Sequence, residues 1–283
     1  MSKVFLRFVR SDGRELSVSD DVWGITDIKG LDQPELTVYT QKAAIGDGDL
    51  VTGSRVGART IEIELTARNV ALNEVLRRAA TGFFTGGRTY DLYVTRYGEP
   101  RYARECWLDS LDVPTERQFK RLAAKIGLLC PEGYFLSADS FSRNIAEIVG
   151  RCGYPYAATA AYGRIYGVYT YAGLVYLDND GDTEAYCQAV FVAKGDVTNP
   201  KLLAGDGYVR VIGTMGAGDV LIIDGREKSV TMNGVNISNQ LDKDSDFGGI
   251  VFSIGTNSVG FTADIGSNML DVYVYYNKRY IGA

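Results

Sequence analysis

The sequence predicts a mainly β protein of two parts, an N-terminal antiparallel sheet covered by one α-helix and a C-terminal β-sandwich. Three observations carry that reading. Apolar runs rich in Val, Ile and Tyr are separated by abundant glycine, with 33 Gly and 19 Tyr among 283 residues, the composition of strands joined by many turns. Strict apolar–polar alternation recurs along the first half. Near the end, Gly218–Asn236 reads GDVLIIDGREKSVTMNGVN, two β-branched runs punctuated by Asp224-Gly225 and Asn233-Gly234. These dipeptides suit the positive φ of tight hairpin turns, and the stretch reads as a β-meander.

In the first half, Arg7–Val9, Leu36–Tyr39 and Thr60–Thr66 alternate. In the last of these, Ile61, Ile63 and Leu65 share one face, and Thr60, Glu62, Glu64 and Thr66 the other. A helix follows, with Asn69 as N-cap and Leu72, Val75, Leu76 and Ala79 at helical spacing before Gly82. Strands resume at Thr89–Thr95, Arg104–Leu111 and Ala123–Cys130, so one helix covers an antiparallel sheet. Past Glu184, short strands recur at Ala189–Ala193, Tyr208–Ile212, Val220–Ile223, Val230–Met232, Gly249–Ile254, Ser258–Thr262 and Asp271–Tyr276. With no helical period between them, they read as a sandwich.

Charge and composition locate a seam. Residues 1–136 carry 19 Lys+Arg against 19 Asp+Glu, whereas 137–283 carry 11 against 16, the whole net charge of −5. The expected domains are 1–136, a junction with a first strand at 137–176, and 177–283. The junction holds Tyr154, Tyr156, Tyr162, Tyr166, Tyr169 and Tyr171, a partner-contact surface if exposed and otherwise a linker.

Several chemistries are excluded or unsupported. With no histidine, Ser-His-Asp and Cys-His mechanisms and His-ligated metals are impossible within this chain. Cys106, Cys130, Cys152 and Cys187 form no CxxC pair and read as buried free thiols from a reducing cytoplasm. The acidic runs 178–184 and 242–246 miss the EF-hand register and read as turns. Arg117, Lys120 and Arg121 beside Phe119 make too small a basic field for nucleic acid at a pI near 5.0. No apolar run has membrane-spanning length, and the opening residues alternate, so synthesis in the cytoplasm without membrane insertion is expected. No catalytic, cofactor or metal residue is assigned, and no enzyme activity is expected.

Three segments resemble the siphophage distal tail (Dit) proteins. Gly57-Ala58-Arg59-Thr60-Ile61-Glu62-Ile63 resembles a Gly-x-Arg strand of that family. Cys130-Pro131-Glu132-Gly133-Tyr134-Phe135 resembles its Cys-Pro-Asp-Pro-Tyr-Phe segment, with Gly133 in place of the second proline. Asp219, Leu221, Ile223-Asp224, Asn233-Gly234, Asn236, Leu241, Ser245, Phe247, Gly255 and Asn257 resemble its C-terminal sandwich. The resemblance implies that the N-terminal domain is a ring-forming (belt) β-sandwich with one α-helix and that the C-terminal domain is a galectin-like β-sandwich. It implies a homohexameric hub at the virion's tail tip, between the tail tube protein and a tail-associated fibre or lysin protein. A receptor-binding protein or host surface glycan is a further partner of the outward domain, and DNA passes through the lumen without specific binding. From a different class, the alternative is a carbohydrate-binding module holding the particle to a cell-wall glycan, and a third is a carboxylate-dependent glycan hydrolase.

Overall fold

The computed structural model describes residues 4–18, 22–42, 47–114, 120–145, 147–150, 167–170, 174–205 and 207–283. The chain divides into two compact units, Met1–Ala138 with Arg279–Ala283, and Asp139–Lys278. The expected mainly β architecture with one α-helix is borne out. The last five residues, expected in the second sandwich, cluster with the first unit instead.

In the first unit the strands are β1 (Phe5–Arg10), β2 (Glu15–Val18), β3 (Trp23–Lys29), β4 (Leu36–Lys42), β5 (Asp49–Val56), β6 (Arg59–Ala67), β7 (Thr89–Arg96), β8 (Glu99–Asp112), β9 (Ala123–Cys130) and β10 (Phe135–Ser137). The main antiparallel sheet runs β2-β1-β7-β8-β9-β6-β3. Its two edge strands are consecutive in the chain, so the sheet curls around its own core. Ile61, Ile63 and Leu65 point into that core with Leu6, Phe8, Tyr90, Leu92, Ile126 and Leu128. Each large apolar side chain buried there contributes about 1.5–3 kcal/mol.

The helix α1 spans Asn73–Phe83, not the stretch beginning after Asn69. Asn69 caps a 3₁₀ turn, Val70–Leu72, accepting from the Ala71 amide at 3.0 Å. The buried face of α1 is Asn73, Leu76, Ala80 and Phe83, while Leu72, Val75 and Ala79 face solvent. Asn73 sets this register. Its side chain donates to the Lys120 carbonyl at 2.9 Å and accepts from the Leu122 amide at 3.2 Å, anchoring the helix to the approach into β9. At the other end Arg10 Nη1 donates to the Phe83 carbonyl at 2.9 Å, a cation on the negative end of the helix dipole.

The second unit is a two-sheet sandwich. One sheet orders Phe141–Asn144, Leu270–Tyr276, Ala185–Ala193, Val220–Asp224, Ser229–Met232 and Val235–Asn236; the other orders Val175–Asn179, Gly255–Thr262, Lys201–Ala204 and Gly207–Arg210. Both feed one core, in which Phe191 and Phe261 meet edge to face at 6.4 Å. In Ala185–Ala193 and Leu270–Tyr276 alternate residues are fully buried, the period-2 signature of a half-buried strand.

The meander is present with one altered turn. Asn233 and Gly234 have φ of 50° and 80°, as a type I′ hairpin needs. In the other turn the positive φ belongs to Lys228, at 49°, not to Gly225. Gly225 is needed for space, since a Cβ there would lie 2.8 Å from the Cys187 carbonyl oxygen. Asp224 builds the turn by accepting from the Arg226 and Glu227 amides. The strand expected at Gly249–Ile254 is a 3₁₀ turn, Phe247–Ile250, followed by the two-residue strand Val251–Phe252. There the backbones of Gly207 and Gly249 approach too closely for any side chain.

Candidate assembly surface

β4 and β5 form a hairpin arm that, among the described residues, hydrogen-bonds to no other strand. Its register runs from Leu36↔Val56 to Lys42↔Asp49, with a bulge between Tyr39 and Thr40. Every residue of both strands is exposed except Val56, which is half-buried. Leu36, Val38, Tyr39, Leu50 and Val51 therefore stand in solvent, the last two at 63% and 67%. An isolated two-stranded ribbon is marginal in water, and its outer edges offer unpaired backbone groups to another chain. Exposed apolar area of this kind marks a contact surface.

The base of the arm is rigid, and two of the sequence motifs meet there. Gly57 donates its amide to the Glu35 carbonyl at 2.8 Å, closing the hairpin. Two residues on, Arg59 is only 3% exposed and lies opposite Cys130. Its Nε donates to the Gly133 carbonyl at 3.0 Å, and Nη1 to the carbonyls of Gly30 and Asp32, each at 2.9 Å. Nη2 donates to the Ile281 carbonyl, and the guanidinium lies 4.6 Å from the Phe135 ring centroid. Burial pushes the Arg59 pKa down from its ordinary value. Gly133 takes a φ of 72°, and a Cβ there would lie 2.4 Å from the Gly57 carbonyl oxygen, so glycine is required.

Arg59 thereby ties the arm to the C-terminal residues. The strand Arg279–Tyr280 pairs with β10, Arg101 donates to the Gly282 carbonyl at 2.7 Å and lies over the Tyr280 ring, and the Ala283 amide donates to the Leu31 carbonyl at 3.0 Å.

A second surface lies on the outer face of β3, β6, β8 and β9. A groove of about 250 Å³ there is lined by Asp27, Lys29, Glu62, Glu64, Asp112 and Lys125, four carboxylates to two lysines. Lys29 pairs with Glu62 at 3.7 Å and Lys125 with Glu64 at 3.9 Å. Further along the same strands Trp107, at 48% exposure, stands opposite the exposed Leu129.

Tyr154, Tyr156, Tyr162, Tyr166 and Tyr171 lie outside the described residues. Tyr169 lies in the strand Gly167–Thr170, opposite Ile148, but its side chain also falls outside them. Arg117 and Phe119 do too. Among the described residues no group of three or more Cys, Asp or Glu is placed to hold a metal ion. The acidic runs build loops. The buried Asn179 donates to the Thr183 and Phe252 carbonyls, each at 3.0 Å, Asp180 pairs with Lys278 at 2.5 Å, and Asp246 accepts from the Gly248 amide at 2.7 Å.

Comparisons with known proteins point one way. Residues 180–280 match the family described as "Siphovirus-type tail component, C-terminal domain". No curated protein matches the sequence. The fold is similar to the crystal structure of the Dit protein of phage SPP1, described as a paradigm of the hub adsorption apparatus in phages infecting Gram-positive hosts. That likeness has a TM-score of 0.65 at 14% identity and covers 97% of this chain and 98% of that one. A chain of the phage p2 baseplate, in its activated conformation with calcium, is similar at a TM-score of 0.53 and 10% identity, over 99% of this chain and 100% of that one. The strontium form of that baseplate matches at 0.53 and 10%, over 96% and 98%. The family that the three motifs resemble is thus the one these findings support: residues 180–280 match its C-terminal domain, and the chain is similar in fold, from end to end, to the Dit protein of phage SPP1.

Proposed function

We propose that this chain is a structural, non-enzymatic hub protein of a phage or prophage tail tip, assembled as a homohexameric ring between the tail tube and the fibre or lysin apparatus. The single observation that carries the ring is the β4–β5 arm. It exposes five large apolar side chains and, among the described residues, two strand edges paired to no other strand, and a neighbouring copy of the chain supplies the cover such a ribbon needs. A copy that receives the arm on a different surface makes a heterologous contact, and such contacts close into a ring when the rotation fits a cyclic group. End-to-end likeness in fold to phage hub and baseplate chains supports the same reading. The acidic groove on the outer sheet face suits a lumen through which DNA slides, since carboxylates repel phosphate.

The carbohydrate-binding alternative would rest on tyrosines of the four-stranded sheet, where the Tyr208 ring is covered by the Lys201 ammonium at 3.5 Å but Tyr176 is exposed. Native mass spectrometry with negative-stain microscopy tests the ring. Sixfold particles with a central hole are expected, and replacing Leu50 and Val51 by glutamate is expected to leave monomers with an unchanged Tm. A parent protein that stays monomeric at high concentration, alone and with tube protein, would refute the hub reading. Saturable glycan binding by that monomer would favour the alternative.

A further inference from the structure

Cys106 and Cys130 are 24 residues apart in sequence but adjacent in the core. The pairing Trp107↔Leu129 and Leu108↔Leu128 of β8 with β9 continues to place Cys106 opposite Cys130. Their Sγ atoms are 2.6 Å apart, little more than half an ångström beyond the ~2.05 Å of a disulfide bond. Residues directly opposite on antiparallel strands have Cα atoms about 4.5–5.5 Å apart, inside the ~4.4–6.8 Å window that a disulfide spans. Both thiols are fully buried. Cys130 also opens the turn into β10, where the Gly133 amide donates back to the Cys130 carbonyl at 3.3 Å.

We propose that Cys106 and Cys130 are a cross-strand disulfide site, reduced in the cytoplasm and closed by a small oxidant of the peroxide class outside it. One sulfur, as thiolate, attacks a peroxide oxygen. An S–O bond forms, the O–O bond breaks, and the hydroxide released takes up the thiol's proton as water. The second sulfur then attacks the sulfenic sulfur. An S–S bond forms, the S–O bond breaks, and the hydroxyl leaves with the second thiol's proton as another water. Two electrons pass from the two sulfurs to peroxide. The hydrogen bond with Cys130 and burial hold the Cys106 thiol well above the ordinary range, so closure is slow, and the finished bond is equally shielded from reductants. The bond staples β8 to the turn on which Arg59 and the C-terminal strand converge, and it stands independently of the hub reading.

The test uses the full chain, purified reduced and incubated overnight with hydrogen peroxide at neutral pH. It is then alkylated in denaturant and mapped as peptides without reduction. The expected result is one linked peptide pair carrying Cys106 and Cys130, two fewer alkylatable thiols, and a thermal midpoint of the first unit raised by about 10 °C. Dithiothreitol reverses all three, C187A retains them, and C106A abolishes them. Thiols that remain free, a bond joining other cysteines, or sulfinic and sulfonic acids alone would overturn the proposal. The map of the parent chain decides this even where C106A fails to fold.

Discussion

Replacing Arg59 by alanine removes the donors for four backbone carbonyls at once, those of Gly30, Asp32, Gly133 and Ile281. A hydrogen bond from a charged donor is worth about 1.5–3 kcal/mol, and a buried acceptor left unpaired costs about as much. The bond to Gly133 is buried and the other three are part-buried, so water re-solvates the latter at a smaller loss. About 2 kcal/mol for the first, with about 0.7 for each of the others, gives a destabilisation of about 4 kcal/mol. For a unit of this size that lowers Tm by about 10 °C. Arg59→Lys keeps a cation but not the fork and is expected to lose about 2 kcal/mol. Both tryptophans, the buried Trp23 and the half-exposed Trp107, lie in the first unit. Urea denaturation followed by tryptophan fluorescence therefore reports this unit alone. Deleting residues 281–283 in the same background closes a double-mutant cycle, with a coupling of about 1 kcal/mol expected. An R59A midpoint within the error of the parent, or strict additivity with the deletion, would refute the role given to Arg59.

Gly133→Ala is expected to destabilise the first unit by about 1–3 kcal/mol, read in the same assay, because its positive φ and its approach to the Gly57 carbonyl both exclude a Cβ. Asn233→Ala is expected to cost the second unit about 1 kcal/mol in calorimetry. It loses the left-handed turn residue and the bonds of its side chain to the Val220 amide and to Asp219. Hydrogen bonds from Lys278, Asn233 and Asn199 hold the carboxyls of Asp180, Asp219 and Asp264, respectively, below their usual 3.8. Their contribution is thus complete at neutral pH and is lost as pH falls below that value through the depressed pKa values. The calorimetric midpoint of the second unit should drop over that interval, and Asp180→Asn should flatten the drop.

How much of this was legible in the sequence depended on whether a residue's partners were local. The strand Ala123–Cys130 and the inward face of Ile61, Ile63 and Leu65 follow from alternation alone, because one face of each meets the core. β5 was missed because both of its faces are exposed, so its side chains carry no period. The helix register was misread because it hangs on Asn73, a buried polar residue whose partners lie 47 and 49 positions away. Gly57–Ile63 and Cys130–Phe135 stood out as motifs, but their meeting through Arg59 needs the register of β6 against β9. The same holds for Cys106 and Cys130, which read as scattered thiols until β8 and β9 are paired.

The return of Arg279–Ala283 to the first unit also bears on synthesis. A ribosome delivers residues 1–138 long before 279–283, so a nascent first unit waits with β10 lacking one neighbour and Arg59 lacking one acceptor. Any product terminated early, however well its sheet has formed, lacks the strand that completes it. Completion of the first unit thereby waits on synthesis of the whole second unit, because the strand that pairs with β10 follows it in the chain.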